Sequence, residues 1–448
     1  MQHGTGGKLG VWQLLLLALG SVVGGSFFLS TATPLKATGP SILIAFAIGG
    51  FLVYIILMAL SELTIVQPAK GSFREYAEMA FGPMASFVVG WLYWAGLVLA
   101  LSSEATAVAL LARLWIPSAP IWLLSLAVII LVTLLNLLDV GMFSKIESAM
   151  SAIKVLAIIG FILLMVGVLV GLVGGRPPVG LGALRGEGLL PGGIGGLAGS
   201  MLIILFTYAG FEVLGLAAPD ARDPGRTVPK AILLTVIALV GLYMISMATL
   251  LFILPVGAIE PEVSPFVAAL HHVGFPWIAG ALNLIIMSAS ISTMLAAMFG
   301  LSRMLHSLAE EGQAPALLKH VTPKGLPRNA LFASAAGMLL GVVLAFVLPK
   351  QVYLFLVSSG GFALIFTYLM ILASQLVLRR KLGCPSTGCQ LPGFPYLTWI
   401  GIIMLIGALA AMPLVPGQWT GLVAGIGLVV LFALAYRLTR AASHQQRT

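Results

Sequence analysis

Charged residues are scarce in this 448-residue chain, at 8% of all positions, whereas 60% of the positions are hydrophobic. A soluble domain uses about 25% charged residues to cover its surface, so the scarcity excludes a soluble globular protein. Strand-like alternation of apolar and polar residues is absent as well, which excludes a membrane β-barrel. The remaining class is an all-α integral membrane protein, in which apolar runs of roughly 18–28 residues cross the bilayer.

Cysteine is nearly absent: the chain has two, Cys384 and Cys389, in one predicted connection. Two cysteines do not make a disulfide framework, and without nearby histidines they are a weak metal site, so we interpret them as reduced cytosolic thiols. The chain also lacks a Walker loop, the H-E-x-x-H zinc motif and the G-x-S-x-G nucleophile motif. We therefore predict that the protein is not an enzyme and has no metal ion and no resident cofactor.

Twelve apolar segments are predicted to cross the membrane as helices, numbered one to twelve in chain order. Among the basic residues of the connections, about fourteen fall on one side of the membrane and five on the other. The positive-inside rule then places both termini in the cytosol, in a cell inner (plasma) membrane, and explains the net charge of +9 without nucleic acid. The predicted helices span about 11–38, 41–66, 84–115, 120–138, 145–174, 195–217, 229–254, 276–307, 329–348, 351–379, 396–413 and 417–437.

Helices one and six each contain a stretch that would interrupt a helix at membrane depth, Gly20 to Phe28 and Phe206 to Glu212. Backbone groups freed there cannot face lipid, because nothing in hydrocarbon satisfies them, so a broken helix indicates a binding site. The alternative is that the glycines only permit close helix packing.

The five-helix spacing of the two breaks favours a unit repeated once in inverted orientation. The predicted organisation is an N-terminus (1–10), a first repeat (11–174), an external loop (175–194), a second repeat (195–379), a cytosolic loop (380–395), helices eleven and twelve (396–437) and a tail (438–448). Two connections echo each other weakly: Ser72-Phe73 with Phe81-Gly82-Pro83, and Ser264-Pro265-Phe266 with Gly274-Phe275-Pro276. Asp223 to Arg226 is predicted as a turn, with Pro229 opening helix seven.

The broken helices offer two opposite electrical poles. Amides near Gly25 and Ser26 suit a carboxylate, whereas carbonyls near Val22 and Val23, with those of 206–209, suit an ammonium. Together they fit the zwitterionic part of an α-amino acid. We expect no additional interior acid or base to face this pocket clearly, which favours a neutral substrate.

Lys154 lies within an apolar segment, where an ionisable residue costs about 2.5–3.5 kcal/mol on the insertion scale. It is a candidate proton carrier, unless its amine snorkels to the interface. Glu212 directly follows the second break and suits either a gate or proton relay, or a structural cap. We expect Glu104 to hold helix three and Glu62 to hold helix two. Glu147 is expected to pair with a cytosolic base, and a hydroxyl cluster in helix eight would line a small cation site or satisfy its own helix carbonyls (Ser288, Ser290, Ser292 and Thr293).

Several short motifs follow one another in a fixed order. They are Gly24-Gly25-Ser26; Ser61-Glu62-Leu63; Gly71-Ser72-Phe73 with Tyr76; Gly90-Trp91 with Tyr93-Trp94; Glu104; Glu147 with Ile153-Lys154-Val155; Phe206 to Glu212; Asp223-Pro224; Val228-Pro229-Lys230-Ala231; and Ser302-Arg303-Met304-Leu305 with Gly312-Gln313-Ala314-Pro315. In these motifs the chain resembles the amino acid–polyamine–organocation superfamily, most closely its amino acid transporter family, over nearly its whole length.

This resemblance implies the LeuT-type fold: two inverted five-helix repeats and two further helices. It also implies that Phe206 acts as an aromatic lid and that Lys154 reaches helices one and eight. The candidate substrate-binding residues are Val22, Val23, Gly24, Gly25, Ser26, Phe206, Thr207, Tyr208, Ala209 and Gly210. The candidates for proton coupling and gating are Lys154, Glu212, Gly20, Ser292 and Glu104.

Three positions depart from the pattern of the family. Ser26 stands where relatives have glycine, so its side chain would narrow the pocket, and Leu295-Ala296-Ala297 and Pro219-Asp220 replace more polar or smaller residues. We expect import of a neutral amino acid with a proton, rather than sodium, by alternating access. The alternatives are an amino acid exchanger on the same fold, or a membrane receptor that binds an amine without moving it. The sequence does not predict the oligomeric state.

Overall fold

The computed structural model describes residues 9–66, 73–137, 140–173, 178–179, 182–261, 263–322, 325–347, 351–383 and 391–445, with the backbone alone for 140–149 and 439–445. Within these residues the chain forms seventeen α-helices. They are α1 (Val11–Val22), α2 (Gly25–Ser30), α3 (Ala32–Thr38), α4 (Ile42–Val66), α5 (Phe73–Phe81), α6 (Pro83–Ala112), α7 (Ile121–Leu135), α8 (Val140–Leu169), α9 (Gly193–Tyr208), α10 (Glu212–Leu216), α11 (Pro224–Ile253), α12 (Pro265–His272), α13 (Pro276–Glu310), α14 (Arg328–Val347), α15 (Val352–Leu382), α16 (Tyr396–Ala410) and α17 (Trp419–Gln445).

The protein is all-helical in the part that the structure describes. Eight helical segments there are long and apolar enough to cross a membrane, and four shorter apolar helices (α1, α7, α9 and α16) accompany them. Extended pairing is limited, within the same residues, to one bridge between Leu9 and Ala221. Large apolar side chains point outward: Leu163, Leu340 and Ile403 are 67%, 62% and 64% exposed. Such a surface suits lipid, where outward apolar groups carry no cost.

Helix α11 begins earlier than predicted. Asp223 precedes its first turn and Pro224 occupies the first helical position, so the predicted turn at Asp223 to Arg226 is wrong. Pro229 lies inside the helix, where the missing N–H removes one hydrogen bond near the helix start. Pro224 and Pro229 both suit the first turn of a helix. Asp223, which is typical of the position before a helix, precedes Pro224, and the helix begins there.

Two connections contain short helices that were not predicted, α5 and α12. Each ends just before a glycine with positive φ, Gly82 (90°) and Gly274 (83°), because a residue in this conformation breaks the helical path and glycine adopts it without strain. A proline then begins the following long helix, Pro83 in α6 and Pro276 in α13. The weak sequence echo between these two connections thus corresponds to a repeated helix–glycine–proline arrangement.

A buried ionic network joins α4 to the other end of the chain. Glu62 accepts hydrogen bonds from Arg379 (Nη1, 3.0 Å) and Gln375 (3.3 Å) on α15, and from the Leu391 amide (2.9 Å). Arg379 also lies over the ring of Phe394, 4.4 Å from its centroid. Because its donors compensate the buried carboxylate, this network fixes the position of α4 against α15.

Candidate functional site

The first interruption, break one, consists of Val23 and Gly24 between α1 and α2. Both residues have extended backbone, and the Val23 amide donates to Leu19 O (3.1 Å), which closes α1. Gly24 lies against α13: a Cβ at this position would be 2.6 Å from Thr293 Oγ1. A side chain at Gly24 would therefore push the two elements apart.

Break one is capped by a carboxylate from a distant helix. The Ser26 amide donates to Glu104 Oε1 on α6 at 2.9 Å, and Glu104 is 5% exposed. Gly25 permits this approach, since a Cβ there would collide with Ser290 Oγ and lie 2.6 Å from Glu104 Oε2. The Ser26 amide, which the sequence analysis assigned to a substrate carboxylate, is thus bound to a carboxylate of the chain itself.

The second interruption, break six, consists of residues 209–211 between α9 and α10. The Ala209 amide donates to Phe206 O (3.1 Å) and ends α9, and Gly210 follows with a φ of +102°. The Gly210 amide donates to Glu212 Oε2 at 3.0 Å. Two tyrosine hydroxyls donate to the same carboxylate, Tyr368 to Oε2 (3.3 Å) and Tyr93 to Oε1 (3.4 Å). Glu212 therefore satisfies the break that immediately precedes it.

Break six touches the last turn of α1, directly before break one. Ser21 Oγ lies 3.0 Å from Gly210 O and 3.0 Å from Ala18 O, so its single proton is shared between the two helices. At the same point a Cβ on Gly210 would be 2.5 Å from the Ser21 carbonyl oxygen. Glycine is required at position 210 both for its positive φ and for this close approach.

Lys154 connects α8 to α1. Its side chain is fully buried, and Nζ donates to Gly20 O at 2.9 Å, in the last turn of α1. The amine is thus directed at helix one and not at the membrane interface, which excludes the snorkelling alternative in this conformation. Ser292 is also fully buried, on α13.

A cavity of about 320 Å³ lies beside the breaks, between α6, α9, α10 and α13. Of the predicted residues, Ser26, Phe206, Ala209, Gly210, Glu104 and Glu212 line it. The others lie in the packed core around it: Val22, Val23, Gly24, Gly25, Thr207, Tyr208, Lys154, Gly20 and Ser292.

Aromatic side chains pack beside break one, and none of them is among the residues that line the cavity. Phe27 stacks on Tyr243 with ring centroids 3.7 Å apart, and Phe46 and Phe266 pack around this pair at 5.2–6.1 Å. The Tyr208 hydroxyl points into the same cluster and donates to Phe46 O (3.1 Å). Tyr208 therefore packs within this aromatic cluster, whereas Phe206 lines the cavity. All these rings are almost completely buried, so this cluster is part of the packed core.

The cavity opens towards the C-terminal end of α13. Arg303 and Ser307 line it there, together with Phe73 from α5, and Arg303 is exposed. Arg74 fastens α5 to the end of α13 by binding both carboxylate oxygens of Glu311 at 2.5 Å. The Arg74 guanidinium holds the pKa of Glu311 below its ordinary value, so this ion pair persists at neutral pH.

Three charged side chains line the cavity, Glu104, Glu212 and Arg303. The expectation that no additional acid or base faces the pocket is therefore wrong. Sequence reasoning also missed Ser21, which links the end of α1 to break six, and Tyr368, which binds Glu212. No local pattern marks either residue, because which helices face one another is decided by the tertiary packing.

Comparison with known proteins identifies the family. The family model of amino acid permeases matches residues 13–439. The chain belongs to the amino acid permease family. Three relatives are the γ-aminobutyric acid permease of Bacillus subtilis strain 168 (33% identical over 437 residues, 96% of this chain and 93% of the relative), the amino-acid permease RocC of the same strain (31% over 440 residues, 95% and 93%) and the aromatic amino acid transport protein AroP of Escherichia coli K12 (31% over 422 residues, 93% and 92%).

Family membership makes this chain a multi-pass membrane permease for amino acids and not an enzyme. The predictions for Glu147, Cys384 and Cys389 lie outside the residues whose side chains the structure describes. Part of the echoed connection, Ser72, also lies outside them.

Proposed function

We propose that this permease is a secondary active transporter that imports a neutral amino acid together with a proton, by alternating access. The observation that carries the proposal is that two interrupted helices meet beside one cavity, and each break is held by a buried carboxylate. Interrupted helices at membrane depth persist only where protein, water or ligand satisfies their backbone. A transported solute with its own ammonium and carboxylate replaces such contacts reversibly.

In the proposed topology the protein has twelve membrane helices with both termini in the cytosol of the inner (plasma) membrane. The eight long apolar segments and four shorter ones support this number, with α1, α2 and α3 together forming helix one and α9 and α10 forming helix six. The proposed repeats are 11–174 and 195–379, and the similar arrangements after α5 and α12 support them. The open end of the cavity then faces the cytosol.

The substrate carboxylate is proposed to bind at the amides of break one, beside or in place of Glu104. Two carboxylates that share one site do not both ionise readily. A proton on Glu104 would remove its charge and allow the substrate carboxylate to approach the Ser26 amide. This links substrate binding to proton uptake at a side chain that lines the cavity.

Lys154 is proposed as the second element of proton coupling. Its charged amine holds α8 to the end of α1 through Gly20 O. When the amine loses its proton to the cytosol, the ion–dipole attraction to that carbonyl weakens, and α1 is freed to move relative to α8. Proton release would then favour opening of the cytosolic side.

A neutral substrate is proposed because Glu104 and Glu212 are both bound to backbone amides. Apart from Arg303 at its open end, the rest of the cavity wall is mainly apolar, with Leu97, Leu101 and Phe206 among its residues. Relatives named for γ-aminobutyric acid and for aromatic amino acids support substrates without a charged side chain. A panel of leucine, phenylalanine, arginine and γ-aminobutyric acid samples these possibilities.

The test is uptake of this panel by purified protein in proteoliposomes. An imposed inward proton gradient is expected to drive accumulation without sodium, and Lys154→Ala is expected to abolish accumulation while exchange of labelled for unlabelled substrate persists. Unchanged gradient-driven accumulation by Lys154→Ala would contradict the lysine mechanism, and a strict sodium requirement would contradict proton coupling. Counterflow without net gradient-driven uptake would instead indicate an exchanger. Any saturable transport excludes a receptor that only binds.

A further inference from the structure

Arg303 is a cation in the cavity wall that the proposed mechanism does not use. It lies on α13, ten residues beyond Thr293, which contacts break one. At a rise of about 1.5 Å per residue this separation is roughly 15 Å along the helix. The Arg303 side chain is exposed at the open end, and its guanidinium lies 4.2 Å from the centroid of the Phe299 ring, one turn back on the same helix.

The acidic groups near Arg303 are engaged elsewhere. Glu311 binds Arg74, and Glu310 lies 3.5 Å from His306 Nε2. Within the cavity, Glu104 and Glu212 cap the two breaks. Among the described residues, no carboxylate lies within salt-bridge distance of Arg303. Its positive charge is therefore available at the mouth of a cavity with mainly apolar walls, and such walls focus the field of a charge into the opening.

We propose that Arg303 is an encounter site for the carboxylate of the amino acid at the cavity mouth, separate from the central site at the breaks. The inference rests on the proposed function and adds a second substrate-binding site to it. A guanidinium binds a carboxylate through two parallel N–H donors, and the Phe299 ring holds its plane in place. From this position a captured amino acid has a direct path along α13 to break one. Arg303 thus speeds binding on this face and leaves the central site unchanged.

The experiment compares Arg303→Gln with Arg328→Gln in the full-length protein. Arg328 is a matched control, because it is exposed and lies over a phenylalanine one turn away on its own helix (Phe332, 5.4 Å), but it does not line the cavity. Initial rates are measured on both membrane faces, in intact cells and in inverted vesicles. The probes are leucine, phenylalanine, arginine and γ-aminobutyric acid, and their carboxamides, which keep the amine and lack the carboxylate.

For Arg303→Gln we expect kcat/KM for the transported amino acids to fall on the order of fivefold at the membrane face where the cavity opens, while kcat stays unchanged. A change of about fivefold corresponds to the upper end of what a solvent-exposed ion pair contributes. On the opposite face, and for Arg328→Gln on either face, no change is expected. The carboxamides carry net positive charge, so their kcat/KM or competition should stay the same or improve when Arg303 is neutralised. Raising the ionic strength from about 0.01 to 0.15 M should reduce the difference between variant and wild type, because the Debye length falls from roughly 30 to 8 Å.

Equal losses for amino acids and carboxamides would overturn the proposal, since they would indicate a structural role. No difference between Arg303→Gln and Arg328→Gln would also overturn it. If Arg303→Gln does not insert, Arg303→Met tests the same loss of charge while keeping an apolar stem over Phe299, and Arg303→Lys should stay within about twofold of wild type. If the wild type transports none of the probes, the proposed function fails, which is a different outcome from an Arg303 variant that matches an active wild type.

Discussion

Break one and break six satisfy their backbone by different means. At break six the cap is local: Glu212 lies two residues from the Gly210 amide that it accepts, and two tyrosines add donors to it. At break one the cap comes from another helix, since Glu104 on α6 is 78 residues away from Ser26. A local cap travels with its helix, whereas a distant cap is lost whenever α6 and α2 separate. We therefore expect break one to respond to ligand and break six to remain a fixed frame.

Alanine substitutions of the glycines at the two breaks should differ most in their effect on the free energy of unfolding. Gly210→Ala is expected to cost about 3 kcal/mol or more, because a Cβ at a positive φ is strained and this one would lie 2.5 Å from the Ser21 carbonyl oxygen. Thermal unfolding in detergent measures the loss, with yield of folded protein as a second readout. No side-chain change elsewhere should rescue it, since the obstacle is backbone.

Gly25→Ala is the matched variant beside break one, at the first residue of α2. Its Cβ would collide with the Ser290 side chain, so combining it with Ser290→Gly should restore part of the stability. Failure of that rescue would show that break one is as rigid as break six, and the contrast between them would be lost.

Substitutions of the two capping glutamates should have different main effects, on stability for Glu212 and on transport for Glu104. Glu212→Gln is expected to destabilise the protein by about 1–3 kcal/mol, since three donors lose a charged acceptor in a buried position. Glu104→Gln removes the charge from the acceptor of the Ser26 amide but keeps an acceptor oxygen there, and it should cost about 1 kcal/mol or less. Its main effect should be on uptake, which would lose its dependence on the proton gradient. Equal destabilisation by both variants, measured by thermal unfolding, would contradict this distinction.

Much of this arrangement follows from the sequence, and the missing part has one physical cause. The breaks at Val23–Gly24 and at 209–211 lie at glycines inside apolar runs, and a bilayer tolerates interrupted backbone only where protein, water or ligand satisfies it. The partner of Ser26 is not marked in this way. Glu104 was expected to hold helix three, yet which backbone group it would bind depends on how α6 and α2 pack. Periodicity within one helix carries no information about that packing.

The same limit explains the misjudged polarity of the pocket. A glutamate or arginine in the sequence shows only that a charge is present, not which face of the bundle it occupies. Arg303 belongs to a recognisable motif at the end of helix eight, but its place in the cavity wall becomes visible only once α5, α6 and α13 are assembled. Lys154 was easier to predict, because a basic residue in the middle of an apolar helix has few alternatives to an interior partner.

The tyrosines of break six should have unequal, smaller effects. Tyr368→Phe is expected to cost about 1.5 kcal/mol and Tyr93→Phe about 0.5 kcal/mol. Tyr368 is 1% exposed, so no water replaces its hydroxyl at Glu212, whereas Tyr93 lines the cavity, where water has access. Thermal unfolding of both variants measures the difference. A larger cost at Tyr93 would mean that the cavity side, and not the core side, holds Glu212 in place.

Substitution of Ser21 should have the smallest effect on stability, and its coupling energies with the two capping glutamates test whether the breaks are independent. Ser21→Ala is expected to cost about 0.5 kcal/mol, because its hydroxyl bond to Gly210 O is shared with Ala18 O. Since Gly210 also donates to Glu212, a double-mutant cycle of Ser21→Ala with Glu212→Gln should give a coupling of about 0.5 kcal/mol. The same cycle with Glu104→Gln should give none, as Glu104 binds the other side of break one. Couplings of equal size would show that the two breaks act as one unit, so that a ligand at break one would also move break six.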